Sequence, residues 1–256
     1  MVTIAIMNNK GGVGKTITAI NLADILANSY HLDVVMVDCD GQANLTHFYL
    51  PALDVAAEQA VTVGDVLRGE CEQVWSDNLM PIGERMQLLP SSSDLYDLDL
   101  QAVKDGVSAP ERMVHFVDAA REDDDTDYMI FDCPPGYTVA SVAALLAADI
   151  VVIPVMADAF SVDGVAAVMR QVRTIQRARP GVVAKALMTQ TRTSDAVTAG
   201  EQLLAQMGVE TYRTKIRRTD KVPESTMSLT PLRQYSPNSA ATVDYKAWVR
   251  ELLEEM

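Results

Sequence analysis

Residues 8 to 16 read Asn8-Asn9-Lys10-Gly11-Gly12-Val13-Gly14-Lys15-Thr16, between Val2-Thr3-Ile4-Ala5-Ile6-Met7 and Ile17-Thr18-Ala19-Ile20-Asn21-Leu22-Ala23-Asp24-Ile25-Leu26. The preceding run is apolar and suits a buried strand, and the following one carries an amphipathic helical pattern. Strand, glycine-rich turn and helix together form the context in which a Gly/Lys turn holds phosphate rather than arising by chance. Glycines let the backbone wrap closely around an anion with its N–H groups pointing inward. The opening amides of the helix add positive potential. In this frame Gly11, Gly12, Val13, Gly14, Lys15, Thr16 and Ile17 form a phosphate cradle, with Lys15 against the β- and γ-phosphates and the Thr16 hydroxyl on Mg²⁺.

Beyond the loop, near-continuous apolar runs recur at Val34–Val37, Tyr128–Phe131, Ile150–Val155 and Val182–Met188. Such runs suit strands buried on both faces, as in a parallel sheet. Helical patterns lie between them, at Val139–Ala147 and at Val162–Arg179, the second stopped by Pro180-Gly181. The alternation predicts an α/β fold with a doubly wound, mostly parallel sheet and helices on both faces, as a single domain over residues 1–256. Residues 51 to 125 are less regular, with helices expected at 64–69 and 94–104 and a short strand at Met86–Leu89. The run Glu122-Asp123-Asp124-Asp125 reads as a solvated loop. At the C-terminal end, Ala241 to Met256 places Val243, Ala247, Leu252 and Met256 on one side, with Trp248 and Val249 nearby.

The 256 residues are 48% hydrophobic and 22% charged, a globular composition. No apolar run approaches the roughly 18 residues of a spanning helix. The start enters a strand with no basic segment or cleavage pattern, so a cytoplasmic protein is expected. Cys39, Cys71 and Cys133 show no CxxC spacing and offer no disulfide framework. His31, His47 and His115 lack metal-ligand spacing and read as ordinary loop or surface residues. The formal net charge of −14 argues against nucleic acid, but it is unevenly placed. Between Val162 and Lys221 eleven lysines and arginines face five acids, so a basic third is attached to an acidic body.

Asn9 stands where the standard loop has glycine, and Lys10 is an additional lysine before the glycine pair. This variant resembles the deviant phosphate loop of the ParA/MinD family of ATPases, in which the extra lysine reaches across a nucleotide-sandwich dimer to the partner's phosphates. Asp38-Cys39-Asp40-Gly41-Gln42-Ala43-Asn44 is similar to that family's DxDPQxN segment, with Gly41 in place of proline. Asp132-Cys133-Pro134-Pro135-Gly136 resembles its DxPPG switch. Ala148–Val155 matches a further strand, with Asp158 in the place of a carboxylate beyond it. Ile17 departs from a second threonine. Both carboxylate groups fall at the ends of strands expected to flank the first one, where an open parallel sheet holds its ligand.

Mg²⁺ takes one or two carboxylates, usually through water, plus substrate phosphates. Asp132 fits that need, with Asp38 supporting the same water network. The resemblance implies that Asp40 orients or deprotonates an attacking water, with Lys10 and Lys15 supplying charge. The competing reading of Asp38 and Asp40 is that they cap a strand-to-helix turn. Cys39 and Cys133 beside the site invite an iron–sulfur reading, since nitrogenase iron-protein relatives share the loop. Cluster ligands come as several thiolates at characteristic spacing, so buried small apolar residues are the better account.

Three functions compete. The first is a DNA-partitioning ATPase using ATP and Mg²⁺: a homodimer formed with ATP binds DNA non-specifically, a ParB-like centromere-binding partner stimulates hydrolysis, and the protein associates with the nucleoid. The second is a MinD-like membrane- or protein-positioning ATPase, and the third a metabolic phosphate-loop enzyme. A membrane-surface helix wants basic residues on its polar face. Glu251, Glu254 and Glu255 oppose Lys246 and Arg250 in the tail, so no membrane partner is expected and the helix should pack on the domain. The basic third favours DNA, above all Arg213, Lys215, Arg217, Arg218 and Lys221, with Arg170, Arg173 and Arg177 as the alternative surface. A solvated charged face is the competing reading. With the first strand starting at residue 2, no helix-turn-helix extension is expected.

Overall fold

The apolar runs at the centre of the sheet become strands whose side chains alternate between two covered faces, and partly exposed strands complete its edges. In the computed structural model, which describes residues 1–71, 75–105, 110–123 and 125–256, one sheet collects eight of them. They are β1 (Val2–Ile6), β2 (Val34–Asp38), β3 (Met80–Gly83), β4 (Met86–Leu89), β5 (Tyr128–Asp132), β6 (Ile150–Val155), β7 (Val183–Met188) and β8 (Glu210–Thr211). The order across the sheet is β3-β4-β2-β5-β1-β6-β7-β8, parallel except for β3, which pairs antiparallel with β4 at one edge. Ala5, Val35, Val37, Phe131 and Ile153 pack on one face, beneath the helices Val63–Arg68, Glu111–Asp123, Val139–Ala147 and Ala159–Gln176. Ile4, Ile6, Met36, Ile130 and Val152 pack on the other, beneath Lys15–Ser29 and Ala240–Glu254. The doubly wound α/β reading therefore holds.

Several expectations need correcting. β2 does not flank β1, because β5 lies between them with Asp38 in register with Asp132. β1 is the switch strand, with β5 on one side and β6 on the other. The chain leaves it toward both edges, and that opens a crevice above its C-terminal end. The acidic run is not all loop: Glu122 and Asp123 close the helix Glu111–Asp123, and the Trp75 indole N–H donates to Asp123. Asp124 lies outside the described residues. The helix expected at 162–179 spans Ala159–Gln176.

The C-terminal helix Ala240–Glu254 packs on the domain, but through a different stripe. Tyr245, Trp248, Val249 and Leu252 are buried, while Val243 is 50% and Met256 52% exposed. Aromatic area decides the rotation. Trp248 meets Tyr212 edge-on with centroids 5.8 Å apart, and the Tyr245 hydroxyl lies 3.1 Å from Thr18 Oγ1 in the phosphate-loop helix. Glu251, expected on the acidic outer face, is itself buried.

Asp24, 1% exposed in the phosphate-loop helix, is held by Arg233 through two bonds of 2.7 and 3.1 Å. Asn21 in the same helix accepts the Leu232 amide at 3.1 Å. These bonds tie the C-terminal segment to the helix that begins at the loop. Removing the guanidinium leaves a buried carboxylate with only amide donors. Arg233→Ala should cost about 3 kcal/mol of unfolding free energy. Adding Asp24→Asn should recover part of it, as read from urea midpoints.

Candidate functional site

The phosphate loop owes its shape to two left-handed glycines, Gly12 with φ 76° and Gly14 with φ 93°. They turn successive N–H groups toward one concavity. Gly14 opens the helix without a side-chain cap, so its first amides stay directed at the same space. Lys15 is buried and its Nζ donates to the Lys10 carbonyl at 3.1 Å, closing the loop on itself. Burial pulls its ammonium below the usual lysine range, while Asp132, Cys133 and Asp40 nearby oppose that shift.

The end of β7 braces the loop. Thr189 Oγ1 donates to the Val13 carbonyl at 2.8 Å, and Gln190 Nε2 donates to the Gly12 carbonyl at 2.8 Å. Gln190 holds φ at 50°, an uncommon conformation for a residue with a side chain. Neither residue was picked out from the sequence. Their signal was position alone, just past an apolar strand on the ligand edge of a parallel sheet.

Asp38 and Asp132 sit side by side at full burial, and their surroundings differ. Asp38 Oδ2 accepts from Thr46 N at 2.9 Å and Thr46 Oγ1 at 2.8 Å, and Oδ1 accepts from Asp40 N at 3.1 Å. Both its oxygens thus accept hydrogen bonds that shape residues 40–46, as a turn-capping carboxylate does. Burial lifts its pKa to about 6 against those hydrogen bonds. Asp132 is lifted well above the carboxylate range by burial and by the Asp38 charge, with the Thr16 side-chain hydrogen bond and Lys15 working against the shift. Its Oδ1 is buried without a partner.

An unmet carboxylate oxygen beside the Thr16 hydroxyl and under a cradle of amides is the donor set that Mg²⁺ with phosphates fits. Among the described residues no group of three or more His, Cys, Asp or Glu could hold a metal unaided. Such a cation would therefore depend on phosphate and water for the rest of its shell.

Asp40 is half-buried on the wall of a cleft of about 930 Å³ that also takes in Gly11, Gly12, Lys15, Thr16, Pro134 and Pro135. His47 and Phe48 line it too, so His47 is placed at the site rather than on indifferent surface. A second cavity of about 260 Å³ adjoins it through Gly14, Ile17 and Gln190, with Ile216, Val222 and Pro223 among its apolar walls. Lys10 pairs with Asp158 at 2.7 Å. Cys39 and Cys133 are both buried in the core, and the Cys39 thiol is pushed up by its hydrogen bond to Cys133 and by burial.

The basic third is less free than its charge count suggests. Arg217 is clamped by Asp244 at 2.7 and 2.8 Å, Lys215 meets Glu201 at 2.8 Å, Lys221 meets Glu224 at 2.7 Å, and Arg213 approaches Glu251 at 3.4 Å. Backbone amides of Arg213, Thr214 and Arg217 also donate to Glu251 and Asp244, docking this segment on the C-terminal helix. Arg192 and Arg218 are exposed and have no acidic partner among the described residues. With Arg213, Lys215 and Arg217 they line an open basin of about 670 Å³. No described helix is long and apolar enough to cross a membrane.

The family model described as "AAA domain" matches residues 1–185. The chain is 31% identical over 257 residues to the chromosome-partitioning ATPase Soj of Thermus thermophilus, covering 98% of this chain and 94% of that one. It is 30% identical over 262 residues to the chromosome partitioning protein ParA of Caulobacter vibrioides, covering 98% and 93%. Among solved structures, apo McdA of Cyanothece superposes with a TM-score of 0.82 at 21% identity, over 99% of both chains. With its glycine cradle, its switch strand and relatives matched along nearly their whole length, the chain belongs to the ParA/MinD family, on its ParA/Soj side.

Proposed function

We propose that this protein is an ATP-driven DNA-partitioning ATPase. The observation that carries the reading is the glycine cradle around Lys15, facing the Thr16 hydroxyl and the unpartnered Asp132 Oδ1. The amides of residues 11–17 bind the phosphates, and Lys15 neutralises them in a site dry enough to strengthen every charge contact. Mg²⁺, held by Thr16 and through water by Asp132, would supply Lewis-acid stabilisation of the phosphoryl group. The apolar cavity beside Gly14 and Ile17 takes the base. Asp40, open to the cleft, orients the attacking water, and phosphoryl transfer asks for little more than such placement.

Lys10 pairs with Asp158 within the chain. In an ATP dimer it exchanges that carboxylate for the phosphates of the partner subunit. The dimer doubles the basic surface and binds DNA without sequence preference, and a ParB-like protein stimulates turnover. The family relationship supports this reading, and so does the basin of arginines beside the proposed base cavity.

Lys15→Ala should abolish ATP binding. Asp40→Ala should keep ATP and lose turnover by about 10²-fold or more, measured by fluorescent-nucleotide titration and phosphate release. Parental turnover by Asp40→Ala would remove Asp40 from the chemistry.

In the Asp40→Ala background, ATP but not ADP should give a dimer by sedimentation velocity. Adding Lys10→Ala should return it to monomer. A dimer that persists without Lys10 would rule out its bridging role.

For DNA, Arg192 and Arg218 are the basin residues left without an acidic partner among the described residues, and they take precedence over Arg213, Lys215, Arg217 and Lys221. Arg192→Glu with Arg218→Glu should weaken ATP-dependent duplex binding and lower the log–log salt slope by about one for each lost phosphate contact. Arg218 also borders the cavity proposed for the base, so Arg192→Glu alone is the variant in which ATP affinity should stay unchanged. Arg217→Glu alone should also loosen the C-terminal helix, because it abandons Asp244. Absence of duplex binding at low salt with ATP would leave a positioning ATPase with a protein cargo.

A further inference from the structure

The turn carrying Asp40 is gripped from one side by the segment that follows β4. Ser91 Oγ donates to the Asp40 carbonyl at 2.8 Å, and Ser91 N donates to Thr46 Oγ1 at 3.0 Å. Five residues on, in the first turn of the helix Asp94–Asp105, Tyr96 lays its ring over Gly41, and the Gln42 side-chain amide donates to its hydroxyl. A Cβ on Gly41 would lie 2.9 Å from Tyr96 Cζ, nearer than real side chains come, and 3.1 to 3.2 Å from the adjoining ring carbons, so the ring would have to move. Gly41 is not among the glycines with positive φ, so its backbone does not require glycine. What a side chain there would meet is the ring. The residue that departs from the family's proline is therefore matched by Tyr96.

Tyr96 is an aromatic residue at 42% exposure, and it lines the same cleft as Asp40. Within the turn, Asp40 Oδ1 accepts from Gln42 N at 3.0 Å and the Asp40 carbonyl accepts from Ala43 N at 2.8 Å. A turn of this kind with glycine at its centre is free to move unless something covers it. We propose that Tyr96 is a positioning residue for Asp40, a clasp that holds the Asp40–Gln42 turn so that the carboxylate faces the phosphate cradle; this rests on the ATPase reading above. Tyr96 need not touch nucleotide. It acts by keeping Asp40 in one place, and small misplacements of such a group are costly in rate.

The test combines Tyr96→Ala, Tyr96→Phe, Gly41→Ala and the double variant Gly41→Ala/Tyr96→Ala. Gly41→Ala displaces the ring by occupying its space and should reproduce Tyr96→Ala. It also serves as the second route should Tyr96→Ala fail to fold. Each should lower kcat about tenfold with the Kd for Mg-ATP within about twofold of parental, a split that general destabilisation does not give. Tyr96→Phe keeps the ring and should retain most of the turnover. The double variant should be no slower than either single one, because both remove the same contact.

Amide hydrogen exchange at Gln42 and Ala43 is read in parallel and should accelerate about tenfold in Tyr96→Ala. Unchanged exchange overturns the clasp whether or not the parental protein hydrolyses ATP. Accelerated exchange with parental kcat overturns the positioning role, and so does a double variant slowed by the product of the single effects. A parental protein with no hydrolysis removes the ATPase reading and the positioning role with it, while the exchange result still decides whether Tyr96 holds the turn.

Discussion

Two carboxylates buried side by side, Asp38 and Asp132, set the terms on which the site is built. The insertion of β5 between β2 and β1 brings them into register at the C-terminal edge of the sheet. Burying one unpaired charge is expensive, and burying two together is more so. The chain meets this cost for Asp38 by folding residues 40–46 back onto it, so the turn that presents Asp40 exists because Asp38 needs donors. Asp132 receives only partial compensation, from Thr16 and from Lys15 across the loop. The leftover oxygen is a demand for positive charge directly beneath the phosphate cradle.

The same economy of charge organises the segment 213–217 and the C-terminal helix on which it docks. Glu251 and Asp244 sit on the C-terminal helix, and each accepts from backbone amides of the segment 213–217 as well as from an arginine. These carboxylates are structural, and the arginines they hold serve partly as packing. Glu251 stays below its ordinary pKa despite the opposing effect of burial, because Thr214 and Arg213 donate to it. Within the basin this leaves Arg192 and Arg218 without an acidic partner among the described residues, and Arg218 also borders the cavity beside Gly14 and Ile17. One stretch of chain thus borders both the nucleotide cleft and the basic basin, a direct physical link between the two surfaces.

Much of this was legible in the linear sequence. The alternation of four- to seven-residue, largely apolar runs with helical patterns points to a parallel sheet, since strands covered on both faces are apolar along most of their length. The glycines and lysines of residues 10–16 dictate the loop, because the conformations at Gly12 and Gly14 are costly for any residue with a Cβ. The carboxylates at 38, 40 and 132 stood out through the resemblance of their segments to ParA/MinD motifs, at the ends of apolar runs.

Spatial neighbours were not legible. Nothing in the order of residues says that β5 enters between β1 and β2, that Arg217 faces Asp244 or that Gln190 braces Gly12, since each is a contact between segments far apart in the chain. The stripe of the last helix was misread for a related reason. Periodicity permits several faces, and the aromatic area of Tyr245 and Trp248 against Thr18 and Tyr212 selects one. Local sequence determined the elements and the loop because backbone sterics and side-chain period are local properties. Tertiary structure decided which carboxylates are spent on the fold and which remain for chemistry, because desolvation and hydrogen-bond supply depend on what packs above each group.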